Sequence, residues 1–321
     1  MRFFLCCLLA AIATANTSQA APLDDRHAAI DRALNYLYKT ASDDASFSRF
    51  GEDVLWCFYT ISHTAADHHL SESARTMGRE LAARWRKSHR HVPPDASANR
   101  IFLLVSGAYA ADRLGFPDRR YKSELRKASV KFIATDFLGF DPTQGPPSLN
   151  NSDRYDQWYG ALVVTFFGDS YGVRLGAHYR DVLQWLPRLR PYEGHDDDME
   201  FDIFYAITHV IYTVDHYHER SVSGSLLPAE LVFLRHKLDE AIDDENPEMV
   251  SEALDCLKAT GFANDPQVLD GIRFLIVSQR PDGSWAGDPD DPYTEYHSAW
   301  AGIDGLRDYH FHGQVKRLPV H

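Results

Sequence analysis

Gly271-Ile-Arg-Phe-Leu-Ile-Val-Ser-Gln279-Arg-Pro-Asp-Gly283-Ser-Trp285 is the stretch on which the reading of the fold turns. An apolar half-helix runs into a glutamine, and Pro281 cannot continue it. Gly283 then supplies a positive φ at little steric cost, and the turn delivers Trp285. Tyr293-Thr-Glu-Tyr-His297-Ser-Ala-Trp300-Ala-Gly-Ile-Asp-Gly305-Leu306 follows as a second helix, apolar on nearly every side. The pair reads as one hairpin, an outer amphipathic helix turning into a buried inner one.

The same pairing recurs along the chain, and six hairpins are predicted. Outer helices are expected near 24–40, 70–88, 118–137, 174–190, 226–243 and 264–279, with Leu, Ile and Val at helical spacing between charges. Inner helices are expected near 51–66, 97–114, 153–170, 199–217, 247–260 and 293–308. No strand pattern stands out. Tyr155-Asp156-Gln-Trp158-Tyr159-Gly-Ala falls on Phe201-Asp202-Ile-Phe204-Tyr205-Ala-Ile with a uniform shift of 46 positions, and a further shift of that size lands on Glu248. Periods of this length mark stacked helical pairs.

The Gln279–Trp285 segment resembles the QW repeat of squalene–hopene and oxidosqualene cyclases. The Tyr293–Leu306 segment is similar to the inner-helix segment of protein prenyltransferase β subunits, where Tyr-His opens a helix ending in Gly-Leu. The resemblance to this terpenoid cyclase and prenyltransferase superfamily covers roughly the last 40 residues. It implies an all-α fold, an (α/α)6 toroid of six helical hairpins closed into a ring. An open solenoid of helical pairs is the alternative architecture.

The ends of the chain and its charge limit the function. Met1-Arg-Phe-Phe-Leu-Cys-Cys-Leu-Leu-Ala-Ala-Ile has one positive charge and a short apolar run, with small residues at Ser18-Gln-Ala20-Ala21. Residues 1–21 therefore read as a cleaved signal peptide, and 22–321 as one toroid domain that is secreted or periplasmic. No segment is apolar enough to span a membrane. A net charge of -13 argues against nucleic-acid or anionic-membrane partners. The expected partner is a small-molecule or glycan substrate, met by a monomer. Only Cys57 and Cys256 lie beyond the leader, so at most one disulfide bridge can form. Asn150-Asn-Ser152 is a glycosylation sequon.

In a closed ring the first turns of the inner helices surround one mouth. By the overlay, Asp156, Asp202 and Glu248 occupy equivalent places there, with Glu52 joining them. Converging carboxylates raise one another's pKa, so one can remain protonated and act as an acid. Asp156, Asp202, Glu252 and His297 are the catalytic candidates. Acidic residues also complement helix N-termini without any catalytic role. Trp158, Tyr159, Tyr205, Tyr293 and Trp300 are the candidates for substrate contact, since aromatic faces stabilise cations or stack on sugars.

The prenyltransferase resemblance implies a metal. His297 stands at the family's histidine ligand, Glu252 at its aspartate, and Leu254 at its cysteine, so the thiolate is missing. Glu252 and His297, with His209 from the adjacent inner helix, would form a nitrogen and oxygen set suited to zinc or another divalent ion. His195-Asp196-Asp197-Asp198 is similar to the cyclase Asp-rich acid but starts with histidine and continues into Met199-Glu200. His216, His218, His310 and His312 read as helix caps or surface. Arg100 and Arg154 are the main basic residues near the expected mouth.

Three functions follow as expectations. The first is an exported toroid enzyme, related to cyclase and prenyltransferase repeat proteins, with acid/base or metal-assisted chemistry in an acidic, aromatic cavity. The second is a glycan lyase or glycuronyl hydrolase, on the resemblance of Gln279–Trp285 and the Asp290-Asp-Pro-Tyr-Thr-Glu295 run to a late repeat of that family. The third is a ligand-binding toroid without catalysis.

Overall fold

A computed structural model describes residues 23–147, 153–192, 197–285 and 292–319. The leader, the Asn150 sequon, His195, Asp196 and the acidic run through Asp291 lie outside the described residues. The fold is all-α, as expected. In chain order the helices are α1 (Leu23–Ser42), α2 (Asp44–Thr64), α3 (His68–Ser88), α4 (Ala98–Arg113), α5 (Arg119–Ser129), α6 (Ala134–Leu138) and α7 (Asp153–Tyr171). They continue as α8 (Tyr179–Leu183), α9 (Asp197–Val214), α10 (Pro228–Asp243), α11 (Pro247–Ala259), α12 (Pro266–Ser278) and α13 (Pro292–Leu306).

Local chemistry accounts for the starts. Asp43, Asp67, Ser97, Asp118, Asn246 and Asp265 each accept a backbone N–H of the turn they cap. Proline opens α10, α11 and α12, where the missing N–H costs no helical bond.

Two expected outer helices need correction. The 118–137 helix is broken into α5 and α6 by a turn at Val130–Ile133. The 174–190 helix is reduced to α8 and a single 3-10 turn at Leu186–Arg188. Gly172 and Gly176 have positive φ there, and Pro187 removes a donor. The absence of strands is also corrected: β1 (Arg220–Val222) pairs in parallel with β2 (Gly313–Val315).

The expected inner helices pack in sequence. α2 meets α4, α4 meets α7, α7 meets α9, α9 meets α11, α11 meets α13, and α13 returns to α2. α11 is buried along almost its whole length, from Val250 to Ala259, as an element enclosed on all sides must be. The outer elements lean on this set: α3 on α2 and α4, α10 on α9 and α11, α12 on α11 and α13. α1 packs on both α2 and α13, joining the two ends of the chain. No helix among the described residues is long and apolar enough to cross a membrane.

The Gln279–Trp285 stretch makes that join. Gln279 Nε2 donates to the Ala29 carbonyl at 2.8 Å, and its Oε1 accepts from Arg32, so the end of α12 is tied to α1. Trp285 is 1% exposed and donates its indole N–H to the Leu275 carbonyl at 2.9 Å. Its ring lies over Gly302 of α13, where an added Cβ would come within 2.4 Å of Cζ3. Gly283 has φ +97° and sits against the Arg32 carbonyl, 2.3 Å from where a Cβ would be.

Candidate active site

All six inner helices send side chains to one cavity of about 180 Å³. Asp53 and Trp56 come from α2, Phe102 and Ser106 from α4, Val163 and Phe167 from α7. His209 and Tyr212 come from α9, Glu252 and Asp255 from α11, and His297, Trp300 and Asp304 from α13. Spacings of three, four or seven place each set on one helical face. Tyr217 and His218, just beyond α9, complete the wall. The lining is aromatic and acidic and includes no Lys or Arg among the described residues.

One pole of the cavity is a trio on α11 and α13. His297 Nδ1 lies 3.0 Å from Glu248 Oε1. Ligand atoms of Glu248, Glu252 and His297 all fall within 4.8 Å of one another. Glu252 is 3% exposed, and its Oε2 has no hydrogen-bond partner among the described residues. Burial raises the Glu252 carboxyl to about 7, with Glu248 adding to the shift and His297 opposing it. Burial works against charge on His297, but the hydrogen bond and charge of Glu248 outweigh it and raise its pKa. Asp53 is raised chiefly by burial, against the hydrogen bond it accepts from Tyr296 at 3.1 Å.

The other pole is an ion network. His218, 2% exposed, contacts Asp215 through Nδ1 at 3.0 Å and Asp255 through Nε2 at 3.2 Å. Burial opposes its charge, yet the two carboxylates hold it up to about 10. Tyr309 donates to Asp255 and stacks on the imidazole at 4.4 Å. Arg307 Nε donates to Asp304 at 2.5 Å, and Lys258 Nζ donates to the Asp304 carbonyl at 2.8 Å.

His218 reaches this place through an unusual backbone. His216, Tyr217 and His218 have φ of 59°, 53° and 69°, three successive non-glycine residues in the left-handed region. Such strain persists only where the surroundings over-determine it. Here Tyr217 N–H donates to the Tyr212 carbonyl at 2.6 Å and His218 N–H to Asp215 at 3.0 Å. The expectation that His216 and His218 cap a helix at the surface is corrected for His218: it is core, drawn inward by two buried carboxylates.

The sequence-predicted residues divide. Glu252, His297, His209, Tyr293 and Trp300 line the cavity. Asp156 is exposed and Asp202 half-buried, and neither lines it. Tyr159 and Tyr205, expected to contact substrate, are also absent from the lining. Tyr159 is raised by burial and then by Asp156, Asp202 and Glu252, and Tyr205 by burial and then by Glu252 and Glu248. Trp158 is corrected from substrate contact to core, since it is fully buried with its indole donating to the Val182 carbonyl at 3.1 Å.

His209 is corrected as a metal ligand. It stacks on Tyr159 at 4.8 Å and turns Nδ1 to the Tyr205 carbonyl at 2.7 Å, while burial lowers its pKa to about 4. Glu248 takes its place in the trio. Glu52 does not join the mouth carboxylates; Arg100 pairs with it at 3.0 Å and Trp85 donates to it. Arg154 donates to the Tyr155 hydroxyl at 2.6 Å. Cys57 and Cys256 are free and buried, and burial raises both thiols well above their ordinary value. Asp53, Asp255 and Asp304 were not singled out from the sequence, although Asp255 follows Glu252 by three and Asp304 follows His297 by seven, spacings that share a face.

No family model, curated protein or solved structure matches the chain. The chemistry of the cavity therefore carries the functional argument.

Proposed function

We propose that the chain is an exported enzyme built as an (α/α)6 toroid, with acid–base chemistry in its central cavity and Glu252 as the proton-transferring group. The cyclic order of inner-helix packing supports the ring, and the Met1–Ala21 pattern supports export. One observation carries the catalytic reading. Glu252 is buried at the cavity wall with an unpartnered oxygen and a pKa near 7, beside a hydrogen-bonded Glu248–His297 pair. A carboxyl balanced at the working pH can donate a proton and take it back.

A uronate or a diphosphate would meet no Lys or Arg in the lining, which weakens the glycuronyl hydrolase and prenyl diphosphate versions of this enzyme. Purified protein screened against prenyl, triterpene and glycan substrates tests the proposal. Glu252→Gln should lower whichever turnover is found by roughly 10²–10⁴ while leaving the helical circular dichroism and melting curve in place. Full turnover in that variant would reject the assignment.

A second reading has its own observation. Two carboxylates and an imidazole within 4.8 Å, with one buried carboxylate oxygen unpartnered, fit zinc or another divalent ion. Glu248, Glu252 and His297 would hold it, and a bound ion would polarise a substrate oxygen as a Lewis acid. Elemental analysis tests this directly: about one ion per chain, lost in Glu248→Ala, would favour it over the acid–base reading.

A further inference from the structure

The cavity lining holds four carboxylates, and two are already neutralised. Asp255 faces the His218 imidazole at 3.2 Å, and Asp304 takes the Arg307 guanidinium at 2.5 Å. Asp53 and Glu252 have no ion pair with Lys or Arg among the described residues. Among the described residues, the side-chain hydrogen bond Asp53 accepts comes from a neutral phenol, Tyr296. His297 lines the same cavity and directs its Nδ1 to Glu248. Glu252 Oε2 contacts no donor, although the residue is 3% exposed. Among the described residues His297 is the one imidazole within reach of Glu252 and Asp53, and Glu248 already takes its Nδ1, so three buried or half-buried carboxylates share a single positive group. That excess of negative charge around one void is costly and calls for a cation.

The rest of the wall suits one kind of cation. Trp56, Tyr212, Tyr217 and Trp300 border the void, and aromatic rings attract positive charge through their negative faces. A strongly hydrated metal ion gains little from such walls, whereas an alkylated ammonium loses little on leaving water. The volume of about 180 Å³ is on the scale of the ~150 Å³ cavity that takes a benzene ring. A neutral sugar ring would fit the space but leave both carboxylates uncompensated.

We propose that the cavity binds a small organic cation, an amine or quaternary ammonium with the bulk of about one six-membered ring, between Asp53 and Glu252 and among the four aromatic rings. This deepens the enzymatic reading, since it rests on the same cavity being the substrate site and makes the substrate positively charged.

Isothermal titration of the purified, chelator-washed protein tests it, with choline, tetramethylammonium and piperidinium as probes. Controls are 3,3-dimethyl-1-butanol as the neutral isostere of choline, glucose as a neutral polyol, and glucuronate as an anion. At least one cation should bind, and choline should bind about tenfold or more tightly than its isostere. Asp53→Asn and Trp300→Ala should each weaken it by about tenfold or more while keeping the helical spectrum. No binding of any cation, equal binding of the isostere, or binding of glucose or glucuronate alone would overturn the proposal. Cation binding alongside full turnover in Glu252→Gln would reject only the acid–base assignment; Glu252-dependent turnover without cation binding would reject only this one.

Discussion

Asp255 meets His218 Nε2 at 3.2 Å in a wall where the two side chains are 4% and 2% exposed. The pair is buried and shares its imidazole with Asp215, so neither charge can be rehydrated if its partner is lost. Removing one member of such a pair typically costs about 3–5 kcal/mol. His218→Gln, which leaves both Asp215 and Asp255 buried without their imidazolium, should lower the urea unfolding free energy by about that amount, and Asp255→Ala, which leaves His218 its Asp215 partner, should cost less. The double substitution His218→Gln with Asp255→Asn leaves no unpaired charge between them and should cost clearly less than the two single changes added together. Simple additivity would mean the contact is not energetically coupled.

The same histidine gives stability a pH dependence of known sign. Its pKa is raised from 6.5 to about 10 in the folded chain. The stabilisation is therefore complete below 6.5 and is lost as pH rises through about 10. Lys258 acts in the opposite direction: burial lowers it from 10.5 to about 7, so its penalty is complete below 7 and fades towards 10.5. The difference in unfolding free energy between the native chain and His218→Gln isolates the histidine. It should shrink steadily from neutral pH to about 10, and a difference that grew would reverse the assignment.

Glu252 gives activity its own pH dependence. As a proton donor it works when protonated, so kcat/KM should fall as pH rises through about 7. His297 opposes the upward shift of Glu252, so His297→Gln should move that limb to higher pH. Glu252→Gln should lower the rate by roughly 10²–10⁴ and remove the limb. A limb unchanged by His297→Gln would place the titrating group elsewhere.

The residues differ in how far their places could be read from the chain. Inner helices such as Ala98–Arg113 carry unbroken apolar runs, Ile101-Phe-Leu-Leu-Val, wider than one stripe, and burial on most sides is what satisfies that pattern, so they were legible. The element after Gly172 was not: its apolar residues pack from an irregular path as well as from a helix, and composition does not separate the two. In the site, the 46-residue overlay made Asp156, Asp202 and Glu248 equivalent. Only Glu248 has His297 opposite it, because α13 lies beside α11, and a repeat period carries no information about which neighbour holds a base. His218 was illegible for a different reason. A left-handed run of His-Tyr-His has no periodic signature, and its direction is set by Asp215 and Asp255.

The join between α1 and the last hairpin allows a test with three glycines. Gly302→Ala would push a methyl to 2.4 Å from Cζ3 of Trp285. That ring cannot swing away easily, since its N–H is held by the Leu275 carbonyl and it is 1% exposed. Overpacking of this kind costs about 1–3 kcal/mol. Gly283→Ala combines a φ of +97° with a contact of 2.3 Å to the Arg32 backbone carbonyl, which cannot rotate out of the way. It should therefore be the more damaging change. Gly160, inside α7, has nothing within 4 Å of its added Cβ, so Gly160→Ala gains helix propensity without a clash. Thermal melts should rank Gly160→Ala at or above the native chain, Gly302→Ala below it and Gly283→Ala lowest. A native-like melt for Gly283→Ala would show that the turn before Trp285 does not hold α1 against the final hairpin.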